Sequence, residues 1–158
     1  MYIDHSFRRQ VERVYNLKMN NFRFQYPISV RYGDLDPQWH VNNARFLTFI
    51  EQARLAYLVE LGLFDGHSFW DLPLIVGDVH CRYHAPIEPN ITVMVGMGVT
   101  KIGTSSLTIE STIKSRDGSL LYATAETIMV SFDYAKKVSI PVPAEMRKII
   151  SEYEGKTL

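Results

Sequence analysis

The chain has 158 residues, enough for one domain with a real hydrophobic core. Hydrophobic residues make up 46% and charged residues 22%, the balance of a folded globular domain and not of a disordered or fibrous chain. Lysine plus arginine and aspartate plus glutamate each count 17, so no net field draws the chain to nucleic acid or to a membrane surface, and any anionic ligand must be met by local positive groups.

Cys81 is the single cysteine, so no intrachain disulfide forms, which suits a reducing compartment. No run of about 18 apolar residues occurs, and the start MYIDHSFRRQ lacks the apolar centre of a signal peptide. A cytoplasmic protein with no membrane insertion is expected.

In chain order, Phe7, Val11, Val14 and Tyr15 place a short amphipathic helix over residues 5–18, with Arg8, Arg9 and Arg13 on its other side. It belongs to an N-terminal extension, residues 1–22, ahead of a domain over 23–158. Residues 24–32 alternate around Ile28, Val30 and Tyr32 and predict the first strand. Asp36-Pro37 then marks a turn, because Pro37 fixes its own φ and keeps Asp36 out of the α region. Asn42 and Asn43 offer N-cap side chains, and Phe46, Phe49, Ile50, Ala53, Tyr57 and Leu61 form one face of a long helix that stops at Gly62.

Residues 63–73 connect onward, with Phe64, Phe69 and Trp70 expected to pack on the helix or line a pocket. Residues 74–85 predict a two-faced strand, with Ile75, Val79, Cys81, Tyr83 and Ala85 on one side and Asp78, His80, Arg82 and His84 on the other. Residues 90–103 and 105–115 predict two more strands, with Gly96 and Gly98 marking a bend or a close backbone approach. The hairpin signal Arg116-Asp117-Gly118-Ser119 leads into a last strand over 120–132, an irregular exit, and a helix from Ala144 to Glu154 ending at Gly155. Four strands joined by short turns are antiparallel. The fold class is therefore α+β: an antiparallel five-stranded sheet wrapped around one long helix, with short helices at both ends.

Several chemistries find no footing. There is no G-x-S-x-G elbow for a serine nucleophile, no phosphate loop and no dinucleotide fingerprint. Cys81 and His80 are adjacent on a strand and face opposite ways, so Cys81 reads as a small core residue. His80 and His84 share a face but stand roughly 13 Å apart, too far for one metal ion. The stretch from Asp36 to Asn43 remains. It gathers a carboxylate, the His40 imidazole and the unpaired first-turn N–H groups of a helix, which carry partial positive charge and can stabilise an oxyanion. The same residues also serve simply to cap a helix and shape a turn, and on the residues alone both readings stand.

The stretch GDLDPQWHVNNARFLTFIEQAR resembles the signature of the hotdog-fold thioesterases of the 4-hydroxybenzoyl-CoA thioesterase-like family, through Asp34, Asp36, His40, Val41, Asn42, Asn43, Phe46, Glu51 and Arg54. The resemblance extends over about Phe24 to Arg147, and it departs from the family where Gln38-Trp39 precede His40. It implies an acyl-CoA thioesterase that needs no metal or redox cofactor. Asp36 would be the nucleophile or general base, the Asn43 N–H would polarise the thioester carbonyl, and His40 would either orient Asp36 or stiffen the loop. Asn42, Glu51 and Arg54 are further candidates, with Glu51 and Arg54 reading as a structural ion pair. For coenzyme A the candidates are Lys101 and Arg82, as positive groups for its phosphates, and Gly103, Ser105 and Ser106, through backbone and hydroxyl donors. The family also implies a homodimer, or a tetramer of such dimers, with sites shared between subunits. Acyl-ACP as substrate, a hotdog hydratase or dehydratase using His40 and Glu51, and a non-catalytic acyl-thioester binder are the alternatives.

Overall fold

The computed structural model describes residues 22–158; the helix expected over residues 5–18 lies outside the described residues, as does the side chain of Phe69. The elements run β1 (Phe24–Ser29), α1 (Asn43–Glu60), β2 (Leu74–Tyr83), β3 (Thr92–Ile102), β4 (Ser106–Ser115), β5 (Leu121–Asp133), β6 (Val138–Ser139) and α2 (Ala144–Glu154). Every strand pairing is antiparallel, in the order β1-β3-β4-β5-β2, with the two-residue β6 added beside the end of β5. The sheet thus has β1 and β2 at its edges, and β6 was hidden in the stretch read as an irregular exit.

α1 forms because apolar side chains recur along one stripe. All six predicted face residues, Phe46, Phe49, Ile50, Ala53, Tyr57 and Leu61, are buried, joined by Leu58 and Arg54. Asn42 caps its start by accepting from the Ala44 N–H at 2.9 Å. The chain leaves the helix through Gly62 at φ 70°, in the left-handed region that glycine enters without a Cβ clash. The stripe packs on the inward side chains of the sheet, among them Val93, Val95, Met97, Val99, Leu107, Ile109 and Ile113, all 1% exposed or less. Phe64 is buried as expected, whereas Trp70 is exposed and rests edge-on against Tyr134 at 5.3 Å.

β2 differs from its reading in one respect. Its register against β5 shifts between Val76 and Asp78, so Gly77 is an extra residue and the side-chain alternation changes sides there. Leu74, Val76, Val79, Cys81 and Tyr83 share the inner face with Ser131, Met129, Thr127, Ala125 and Ala123 of β5, while Ile75 joins Asp78, His80 and Arg82 outside. Ile75 and Val79 therefore do not share a face. Val76, Val79 and Tyr83 remain exposed although they stand on the inner face.

At the other edge β1 is shorter than β3 and pairs only as far as Phe24 with Met97. Beyond that point the Val99 N–H donates to Glu154 Oε1 at 3.2 Å and to the Tyr57 hydroxyl at 3.3 Å. Tyr57 in turn donates to Glu154 Oε1 at 2.5 Å. Gly98 is the close approach expected of it: a Cβ there would meet Glu154 Oε1 at 2.9 Å. Burial, and then Glu154 beside it, holds the Tyr57 phenol well above its ordinary range.

Candidate active site

The site is built on the chain between β1 and α1. After a single 3₁₀ turn at Tyr32–Asp34, the loop folds back on itself as a tight hairpin. Leu35 bridges Val41, the Asp36 N–H donates to the His40 carbonyl at 2.8 Å, and the Asn42 N–H donates to the Asp34 carbonyl at 2.8 Å. These rungs set Asp36 beside His40 and Asp34 beside the helix cap. The Val41 N–H ties the hairpin to the Ile87 carbonyl at 2.8 Å.

Asp36 shapes its own turn. Its Oδ1 accepts from the Gln38 N–H at 2.8 Å and the His40 N–H at 3.3 Å. Its Oδ2 has no hydrogen-bond partner among the described residues. His40 meets Asp36 through the main chain; its ring makes no hydrogen bond to that carboxylate. Asn43 occupies the first helical position, where the N–H has no intrahelical acceptor. Its carbonyl is held by the Tyr83 hydroxyl at 3.1 Å, and the Tyr83 ring stands edge-on to Phe46 at 5.0 Å. Tyr83 is a site residue that sequence reasoning treated only as a strand position. The aromatic at the end of β2, 40 residues from Asn43 in sequence, gave no local signal.

Asp34, matched in the signature but given no role, is the buried member of its D-x-D. Its carboxylate takes the Arg31 N–H at 2.9 Å and the Arg31 guanidinium at 3.3 Å, with Arg45 at 3.9 Å. Burial pushes this carboxyl up, but the Arg31 hydrogen bonds and the charges of Arg31 and Arg45 together outweigh it and leave the pKa below the ordinary carboxylate value. Asp34 is thus a charged brace under the loop, with Asp36 at the tip.

Glu51 and Arg54 meet at 3.7 Å, with the Glu51 side chain exposed and that of Arg54 9% exposed. Burial lowers the Arg54 pKa and Glu51 opposes that shift, as an ion pair on the helix flank does. The coenzyme A candidates lie elsewhere on the same chain. Thr92, paired with Ser29, begins β3 beside the entry to the loop, and Lys101 is nine residues on, roughly 30 Å away along the strand. The turn at 103–106 is tied into the fold: the carbonyls of Gly103, Thr104 and Ser105 accept from Arg147, Val142 and Ser131 at 2.8 Å each. Arg82 points out from the outer face of the sheet. Within one chain, then, Asp36, His40, Asn42 and Asn43 come together, and Lys101, Gly103, Ser105, Ser106 and Arg82 do not join them.

Burial pushes the Cys81 thiol up, away from the thiolate a nucleophile needs. His84 Nε2 lies 3.0 Å from the Thr124 hydroxyl, and among the described residues no three His, Cys, Asp or Glu side chains are grouped to hold a metal ion. Among them, too, no helix is long and apolar enough to cross a membrane.

Comparison with known proteins places the fold in a family. The model of the thioesterase-like superfamily matches residues 30–150, a span that takes in the whole loop, α1 and the sheet beyond β1. The long-chain acyl-CoA thioesterase FadM of Escherichia coli K12 is 23% identical over 128 residues, covering 81% of this chain and 97% of that protein. A thioesterase from Thermus thermophilus, solved in complex with coenzyme A and Zn, superposes with a TM-score of 0.76 at 30% identity, covering 87% of this chain and 99% of that one. The PA5185 protein of Pseudomonas aeruginosa superposes at 0.71 with 26% identity over 84% of this chain and 92% of that one. The hotdog fold is shared with these structures, and the chain belongs to the thioesterase-like superfamily as a thioester hydrolase.

Proposed function

We propose that the protein hydrolyses acyl-CoA thioesters to a free carboxylic acid and coenzyme A, with Asp36 as nucleophile or general base. The observation that carries this reading is the Asp36 carboxylate, anchored at Oδ1 by two N–H groups and open at Oδ2. A carboxylate held by one oxygen presents the other in a fixed direction, as attack on a carbonyl carbon or on a water proton requires. Two rungs along the hairpin, roughly 7 Å, lies the start of α1. That spacing leaves room for a thioester carbonyl whose carbon meets Oδ2 and whose oxygen meets the Asn43 N–H.

In one course Asp36 Oδ2 adds to the carbon, charge builds on the carbonyl oxygen, and collapse expels the thiolate to leave an anhydride that water opens. In the other, Asp36 takes a proton from the water that adds. The leaving sulfur ends as the thiol and Asp36 ends as it began, with no cofactor beyond the coenzyme A part of the substrate. Tyr83 positions the Asn43 peptide, and Asp34 braces the hairpin. The name of FadM and the coenzyme A bound by the Thermus relative support CoA as the carrier.

The working form in this reading is a homodimer, or a tetramer of two such dimers. β2 is an edge strand with Val76, Val79 and Tyr83 uncovered on its inner face, an edge that favours pairing with another chain. A two-fold axis across β2 would run it antiparallel to its copy. The Tyr83 end of one chain, where Asp36 sits, would then face the Leu74 end of the other, which adjoins Ser131 and the Ser105 turn. That arrangement supports Lys101, Gly103, Ser105 and Ser106 as contacts made across subunits.

The test is thiol release from a panel of acyl-CoAs and their acyl-ACP counterparts. Release from CoA esters in preference to ACP esters is expected. Binding of acyl-CoA without thiol release, or hydration of enoyl-CoA in place of hydrolysis, would overturn the reading.

A further inference from the structure

Trp39 has no part in the chemistry assigned to Asp36 and Asn43, yet the loop holds it in a costly way. Its φ of 62° is in the left-handed region that a bulky side chain rarely enters. The ring is 62% exposed and meets Tyr32, itself 84% exposed, edge to face at 6.3 Å. Together with Gly33, Leu35, Asp36 and Pro37 the two rings enclose a cleft of about 390 Å³. This is a largely apolar cleft whose lining includes Asp36, the residue assigned to the reaction.

A thioester carbon carries two arms that must leave Asp36 in different directions. The acyl arm needs a dry surface, and the uncovered inner face of β2 beside α1, closed by a second copy, supplies one. The thiol arm must run out to its carrier through a route open to water. The Tyr32–Trp39 cleft is open and is built from one loop of one chain.

From these observations, and resting on the acyl-thioester reading above, we infer that the Tyr32–Trp39 cleft binds the pantetheine arm of the substrate and not its acyl group. The aromatic walls pack on the arm's methyl and methylene groups, and Trp39 is a positioning residue that sets the thioester against Asp36.

The experiment compares one acyl group carried on CoA, on pantetheine and on N-acetylcysteamine, which keeps the thioester end and lacks most of the arm. Trp39→Ala and Tyr32→Ala should each lower kcat/KM on the first two by on the order of tenfold, the loss of roughly 55 Å² of apolar contact. On N-acetylcysteamine esters the effect should stay within about twofold, and Trp39→Phe should restore most of the loss. Equal loss on all three carriers, or no loss on any, overturns the inference. A second readout is independent of turnover. The chain has two tryptophans, so Trp70→Phe leaves Trp39 as the single tryptophan, excited selectively over the tyrosines at the red edge of the absorption band. Its emission should respond to CoA and to pantetheine and not to N-acetylcysteamine. If the folded protein releases no thiol from any ester, the acyl-thioester reading fails, and the emission of Trp39 still decides: no response to CoA overturns the cleft assignment too.

Discussion

Replacing Asp34 by asparagine keeps the shape of a side chain that is 2% exposed and removes its charge. The Arg31 N–H, at 2.9 Å, keeps an acceptor in the asparagine Oδ1. The two guanidinium contacts at 3.3 Å do not survive intact, because one carboxylate oxygen becomes an NH₂ facing donors. A hydrogen bond to a charged group contributes about 1.5–3 kcal/mol, but the Arg31 side chain is 69% exposed and water takes back part of that. Arg45, half-exposed and at 3.9 Å, adds roughly a few tenths of a kcal/mol. The expected cost is about 2 kcal/mol, or about 4–8 °C in Tm for a domain of this size. The pH dependence has a fixed sign. Asp34 has its folded pKa below the unfolded value, so its stabilisation is present above about pH 4 and is lost as the pH falls through the depressed pKa. Urea unfolding of both proteins at neutral pH and at about pH 3 measures this. The gap between wild type and Asp34→Asn should be largest at neutral pH and shrink in acid. A gap that is equal at both pH values would refute the claim that the charge, and not the shape, braces the loop.

Asp36→Asn should behave in the opposite way, with stability kept and thiol release reduced at least about a hundredfold; unchanged turnover by a folded variant would remove Asp36 from the chemistry. Ile50→Ala, at a site 2% exposed on the face of α1, should cost roughly 2–5 kcal/mol in urea unfolding, and a loss below about half a kcal/mol would show that the helix does not pack there. Light scattering on dilution, with thiol release followed in parallel, should show activity disappearing as dimers dissociate; a monomer with full specific activity would exclude a site shared across β2.

The parts of the fold legible in the sequence are those with a simple period. The α1 stripe repeats every three to four residues over four turns, and each predicted face position is buried. The alternation in β3 and β4 is regular enough to place both strands within two residues. Period-based reading fails at β2 because one inserted residue, Gly77, reverses the alternation, and a glycine in a strand does not by itself announce a bulge. The turn at Asp36 and the helix cap at Asn42 are legible because their chemistry is local. The motif does not separate the two aspartates of D-x-D, because burial of Asp34 depends on Arg31 and Arg45 closing over it. Nor does it reveal Tyr83, which arrives through the tertiary pairing of β2 with β5.

The knot of Tyr57, Val99 and Glu154 bears on where this domain ends as a physical object. The match to the superfamily model ends at residue 150, four residues short of Glu154. A fragment cut at that boundary would keep the whole loop from Tyr32 to Asn43, yet it would strip the acceptor from a tyrosine that is 0% exposed and reopen the edge of β3 that the last turn of α2 seals. Kinship is scored on the features relatives share, whereas a buried phenol must find its acceptor within its own chain. For truncation or fusion, a fragment that keeps this packing therefore reaches at least as far as the Glu154 carboxylate.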